Sequence, residues 1–187
     1  MKNSCAARNH VLLVVVVIVC IGSVFAYAEW RRRLALETVR VNGGEVDAWS
    51  KRWFRGRLPK SLTFNASFQD TQGLGRVLPS FPLEDLSIYD VENWDPSLIG
   101  AIASIRGLKR LTLHGCHLVD ADIRTLSRQG ELESLYVLDA NLTRESLAYF
   151  SQFGALKKLI LSNSGLELDD LLQLRRQLPD CQVVFNE

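Results

Sequence analysis

The stretch Leu108-Lys109-Arg110-Leu111-Thr112-Leu113-His114-Gly115-Cys116-His117-Leu118 returns 24 residues later as Leu132-Glu133-Ser134-Leu135-Tyr136-Val137-Leu138-Asp139-Ala140-Asn141-Leu142. After another 24 it returns as Leu156-Lys157-Lys158-Leu159-Ile160-Leu161-Ser162-Asn163-Ser164-Gly165-Leu166. All three follow L-x-x-L-x-L-x-x-N/C-x-L, with Val137 in one leucine slot and Ala140 and Ser164 at the polar slot. Self-similarity at this period marks a solenoid, whose units bury their apolar faces only against one another. Such a chain is expected to be a binding or scaffolding surface rather than a catalyst.

The register extends backward. Leu83, Leu86, Ile88 and Val91 fill the same slots one coil earlier, with a single inserted residue before Leu108. Pro59, Leu62, Phe64 and Ser67 fill them once more. Forward, Leu178, Cys181 and Val183 read as a last step shortened to 22 residues. A second apolar pair follows in each coil: Leu74/Val77, Ile99/Ile102, Ile123/Leu126, Leu147/Phe150 and Leu171/Leu174. Spacing by three is one helical turn, so each coil is predicted to return through a short helix. Asp95-Pro96, Asp120 and Thr143 are the expected start signals. The predicted fold class is α/β, with a parallel concave sheet, short convex helices and about five coils plus a closing strand.

Between the inward leucines stand the outward slots. The first holds Lys60, Glu84, Lys109, Glu133 and Lys157, alternating in sign. Strands lie ~4.8 Å apart, so these side chains should form a self-neutralising ladder, a poor field for nucleic acid. The next slots bring together Tyr89, Thr112, His114, Tyr136, Leu138 and Ile160. Aromatic and aliphatic side chains among hydrogen-bonding groups on a rigid sheet are what a protein or peptide partner uses as anchors.

The first 58 residues differ. Residues 11–28 carry no charge and run Val11-Leu12-Leu13-Val14-Val15-Val16-Val17-Ile18-Val19-Cys20-Ile21-Gly22-Ser23-Val24-Phe25-Ala26-Tyr27-Ala28. As a helix this reaches ~27 Å, close to the ~30 Å hydrocarbon core of a bilayer. A retained single-pass transmembrane anchor is the leading expectation, with a cleaved signal peptide ending at Ala26-Tyr27-Ala28 as the alternative; cleavage would leave a secreted or periplasmic protein. Basic residues flank the stretch on both sides, so its orientation stays open. From residue 31 to 60, nine Lys or Arg stand against Glu37, Glu45 and Asp47, a balance of +6; from 61 onward the balance is −6. Arg31, Arg32 and Arg33 form a basic collar suited to lipid headgroups. Residues 31–41 suit a helix stopped at Asn42-Gly43-Gly44, and Val46 to Trp49 a brief strand. Trp49, Trp53 and Phe54 are expected to cap the first coil, and Trp30 to sit at the bilayer boundary. Three regions follow: 1–28 as anchor, 29–58 as juxtamembrane segment and cap, 59–187 as the repeats.

Signals with a catalytic look dissolve in this register. In His114-Gly115-Cys116-His117 the cysteine takes an inward slot and the histidines outward ones, so a metal site is not expected. Cys116 and Cys181 read as core slots too far apart to bridge. No phosphate loop, nucleophile–base pair or paired-carboxylate motif is visible, so neither cofactor nor enzymatic activity is expected.

With residues 11–28 and 59–185 read, the chain resembles the short, single-pass bacterial leucine-rich-repeat proteins. Arg31-Arg32-Arg33, Gly43-Gly44 and Leu178-Pro179-Asp180-Cys181 carry that resemblance beside the repeats. Cys116, Ala140 and Ser164 stand where the family usually has Thr or Asn. The resemblance implies protein–protein interaction and brings no catalytic residues. The expected function is therefore a membrane-tethered, non-catalytic adaptor. The alternatives are a structural envelope component and an accessory subunit of a membrane complex.

Overall fold

The chain was analysed as a computed structural model, which describes residues 23, 26–46, 59–65, 70–90 and 94–186. It divides into two compact units, Met1–Glu37 and Thr38–Glu187. In the first, residues 26–37 are helical. Among the described residues no helix is long and apolar enough to cross a membrane. The expected span lies almost wholly outside them, as do Trp49, Trp53 and Phe54.

The second unit is an α/β fold in which seven strands, in chain order, form one sheet. The strands are β1 (Gly44–Val46), β2 (Ser61–Asn65), β3 (Asp85–Tyr89), β4 (Arg110–His114), β5 (Ser134–Leu138), β6 (Lys158–Ser162) and β7 (Gln182–Asn186). From β2 onward the pairing is parallel, and helices alternate with the strands: α1 (Thr71–Val77), α2 (Ser97–Ala103), α3 (Asp120–Leu126), α4 (Ser146–Phe150) and α5 (Leu168–Gln177). This solenoid-like arrangement follows from the pattern. A parallel neighbour needs a crossover, and a short helix carrying two or three apolar residues supplies it.

Alternation decides the core. Leu62, Phe64, Leu86, Ile88, Leu111, Leu113, Leu135, Val137, Leu159 and Leu161 are buried, and the strand residues between them are not. From the helices, Leu74, Ile99, Ile102, Ile123, Leu126, Leu147, Phe150 and Leu174 complete the same core. Strand register advances by 24 residues at every parallel step except β3 to β4, where Asp85 pairs with Arg110. The inserted residue therefore lies where the spacing placed it.

Three expectations change. The last step is not shortened: Val183 pairs with Leu159 and Phe185 with Leu161. Leu178 ends α5 as its C-cap instead of leading a strand, because this helix runs to ten residues. Cys181 thereby leaves the core slot and is half-buried, whereas Cys116 is buried. Second, a strand already begins at Gly44, covers Gly44–Val46 and pairs antiparallel with β2, while residues 47–49 of the expected Val46–Trp49 strand lie outside the described residues. Gly44 opens it because a Cβ there would come within 2.4 Å of Val39 Cγ1 and 2.6 Å of the Phe64 ring. The unit holding the sheet accordingly begins at Thr38, before the repeats themselves. Third, the start signals act across coils as well as locally. Asp95 Oδ1 accepts from the Ser97 N–H at 2.9 Å and Oδ2 from Thr71 Oγ1 at 3.1 Å. Asp120 lies inside its helix, and its carboxylate accepts from the backbone and hydroxyl of Thr143, one coil on.

Candidate functional site

One face of the sheet is left open by the helices, and its side chains fall in rows because parallel strands in constant register stack equivalent positions. Just before the strands, Lys60, Glu84, Lys109, Glu133 and Lys157 lie in a single row. Each backbone N–H in it donates to the preceding member's carbonyl at 2.8–3.0 Å. Glu84 bonds Lys60 and lies 3.9 Å from Lys109, and Glu133 bonds Lys157 at 2.9 Å. Hydrogen bonding to Lys60 and Lys157 respectively holds both glutamates below the usual carboxylate range. The ladder spends its charge internally.

The first row inside the strands runs Ser61, Asp85, Arg110, Ser134, Lys158 and Gln182, with Arg110 Nε 2.8 Å from Asp85 Oδ2. The next runs Thr63, Ser87, Thr112, Tyr136, Ile160 and Val184, and the third Asn65, Tyr89, His114, Leu138, Ser162 and Asn186. The two rows hold all six sequence-derived candidates side by side: Thr112, Tyr136 and Ile160 in one, Tyr89, His114 and Leu138 in the other. All six are half-buried. Lys158 Nζ lies 5.5 Å from the centre of the Tyr136 ring, and the rings of Tyr89 and His114 are 6.1 Å apart. Half-burial matters here: each side chain is held by neighbours and still offers surface.

Beyond the strands comes a row that sequence reasoning missed. Asp90, Gly115, Asp139 and Asn163 each follow a strand, and all four have positive φ, from 44° to 63°. His114 Nδ1 lies 2.8 Å from Asp90 Oδ1, His114 Nε2 lies 3.0 Å from Asp139 Oδ2, and Asn163 Nδ2 donates to Asp139 Oδ1 at 2.7 Å. Gly115 makes room for this, since a Cβ there would stand 2.7 Å from Asp90 Oδ1. The signal was present: Asp, Asn and Gly at one slot are the residues that tolerate the left-handed region. The two carboxylates lie close to opposite edges of one imidazole, whose buried Nδ1 makes no hydrogen bond. His117 is exposed and Cys116 buried, its thiol pushed up to about 12 by burial. The sequence-adjacent histidines and cysteine are therefore spread over different surfaces.

In the first unit, Arg32 and Arg33 reach Glu29 at 3.0 and 3.3 Å, while Arg31 lies over the Tyr27 ring at 6.0 Å. Tyr27 and Trp30 are both 58% exposed and their rings are 5.9 Å apart. On the helix side of the second unit, Thr71, Gln72, Gly75, Arg76, Ser97 and Ala101 line a wide, shallow hollow of about 340 Å³.

No family model matches the chain, and no curated protein matches it. Among solved structures it is similar to a chain described as "Leiomodin-1 Actin-Binding Site 2 (ABS2)", at 11% identity and a TM-score of 0.41. That match covers 49% of this chain and 61% of the other. A likeness at this level bears on neither partner nor activity.

Proposed function

We propose that this is a membrane-tethered leucine-rich-repeat protein, similar to the short single-pass bacterial ones, that binds a protein or peptide on the open face of its sheet without chemistry of its own. The observation that carries the reading is the pair of adjacent rows in which Tyr89, Thr112, His114, Tyr136, Leu138 and Ile160 stand half-buried. Aromatic and aliphatic groups held by their neighbours lose little freedom on binding, which suits them as anchors. The flanking rows favour a macromolecular partner over a small charged ligand. On one side Lys60 pairs with Glu84, Arg110 with Asp85 and Lys157 with Glu133, and on the other Asp90 and Asp139 lie against His114. Recognition then rests on shape and apolar contact.

The tether rests on residues 11–28. The exposed Tyr27 and Trp30 beside Arg31, Arg32 and Arg33 support a headgroup-level position, where amphipathic rings and cations both gain.

Affinity capture from detergent-solubilised membranes tests the proposal. Wild type should retain a stoichiometric partner that the Tyr89/Tyr136/Leu138 triple alanine variant loses. Arg124→Ala, on α3 and away from this face, should keep it. An unchanged set of captured proteins with the triple variant would end the reading.

A further inference from the structure

Among the described residues β7 is the last strand of the sheet, with β6 on its inner side. β7 reads Gln182-Val183-Val184-Phe185-Asn186, an uncharged, β-branched and aromatic segment without proline. Such a strand at a sheet margin is a template for pairing with another chain. Its orientation is set by the Gln182 N–H, which donates to Lys157 O at 2.8 Å. Alternation along the strand turns the backbone groups of Gln182 and Val184 toward β6 and those of Val183 and Phe185 toward the outer edge. By the register of the earlier steps a further coil would need the Cys181 carbonyl as its first acceptor and the Val183 carbonyl as its second.

The Val183 carbonyl is taken. Arg175, in the last turns of α5, donates to Val183 O from Nε at 3.2 Å and from Nη2 at 3.0 Å. Its guanidinium also lies 5.0 Å from the centre of the Phe185 ring. One side chain thus holds one of the outward acceptors and lies against the ring of the next outward residue. Arg175 is itself exposed, so water competes for this grip.

We infer that the outer edge of β7 is a strand-addition surface held closed by Arg175, and that the strand it admits when Arg175 withdraws is β7 of a second copy. The edge is self-complementary. In an antiparallel pair about a two-fold axis at Val184, Val183 of one copy faces Phe185 of the other, and the reverse pair repeats it. All four outward donors and acceptors are then matched, with no charge buried. Val184 meets its own counterpart in a non-hydrogen-bonded pair, with Cα atoms ~4.5 Å apart. That separation falls within the about 4.4–6.8 Å a disulfide spans.

The test uses the purified full-length chain in mild detergent, oxidised and run on non-reducing gels. Each added cysteine is compared with its parent carrying only the native ones. Val184→Cys should give little dimer. Combined with Arg175→Met it should give about tenfold more, the scale set by losing one charge-assisted contact. Arg175→Lys, which keeps the charge but loses the two-point grip, should fall between. It also carries the test if circular dichroism shows that Arg175→Met does not fold. Ile160→Cys with Arg175→Met, on the same face but an interior strand, should not cross-link. Equal dimer with and without Arg175 overturns the guard. Absence of dimer in every β7 variant, or equal dimer from Ile160→Cys, overturns the surface.

Discussion

Replacing Gln129 by alanine should destabilise the sheet-bearing unit by ~2–4 kcal/mol, although no partner-binding residue is touched. Gln129 is 5% exposed, and 24 residues to either side stand Ile105 and Phe153, both buried and apolar. Its Nε2 donates to Ile102 O and Ile105 O, each at 2.8 Å. The Ile102 carbonyl also accepts from the Ile105 N–H at 3.1 Å, so it keeps a bond when the amide is lost. For the Ile105 carbonyl the amide is the donor the structure provides. Losing it leaves a buried acceptor unmatched, which costs about 1–3 kcal/mol, and the second bond adds about 0.5–1.5 kcal/mol. Urea unfolding of the full chain, followed by far-UV circular dichroism, measures the sum. In a melt the loss should appear as a fall of about 4–16 °C, at ~2–4 °C per kcal/mol for a unit of this size. Gln129→Leu separates the causes, because it keeps the volume and removes the donor. It should remain at least ~1 kcal/mol below wild type. Stability within ~0.5 kcal/mol of wild type would refute the reasoning, since the carbonyls would then not depend on this amide.

Acid titration should show carboxylates acting in opposite directions. Glu84 and Glu133, held low by their lysines, contribute stability that is present above the ordinary glutamate range and lost as pH falls through their lowered values. The Glu84→Gln/Glu133→Gln pair should therefore flatten the acid limb of the stability profile, and an unchanged limb would contradict the ladder. Asp122 is 8% exposed and burial raises its carboxyl, so its contribution declines as pH rises from the ordinary aspartate range through the raised one. Asp122→Asn keeps an acceptor for the Val119 N–H, bonded at 2.9 Å, and should remove that decline. Cys116, with its thiol pushed up to about 12, should resist alkylation at pH 8 until the chain unfolds, and labelling at the rate of a free thiol would show that the coil opens.

Much of this molecule could be read before any coordinates. The 24-residue step, the inward slots, the return helices and the insertion between β3 and β4 are all local and repeated, so each copy corroborates the others. The same reasoning placed Lys60, Glu84, Lys109, Glu133 and Lys157 in one row, and Tyr89, Thr112, His114, Tyr136, Leu138 and Ile160 in two more, because a constant register turns sequence offset into spatial adjacency.

What escaped is whatever departs from the period or reaches across it. The longer α5 moves Cys181 and Val183 out of their apparent slots, and periodicity cannot announce its own end. Gln129 breaks an apolar row for the sake of two carbonyls a coil away. Asp90, Asp139 and Asn163 gather around His114 from the turns after β3, β5 and β6, and Arg175 folds back on the last strand. By itself the sequence determined which side chains share a face, since backbone geometry and hydrophobic burial act alike on every copy. Only the tertiary structure decided which of those side chains engage one another, because a hydrogen bond depends on ångström-scale distances and angles that no spacing records.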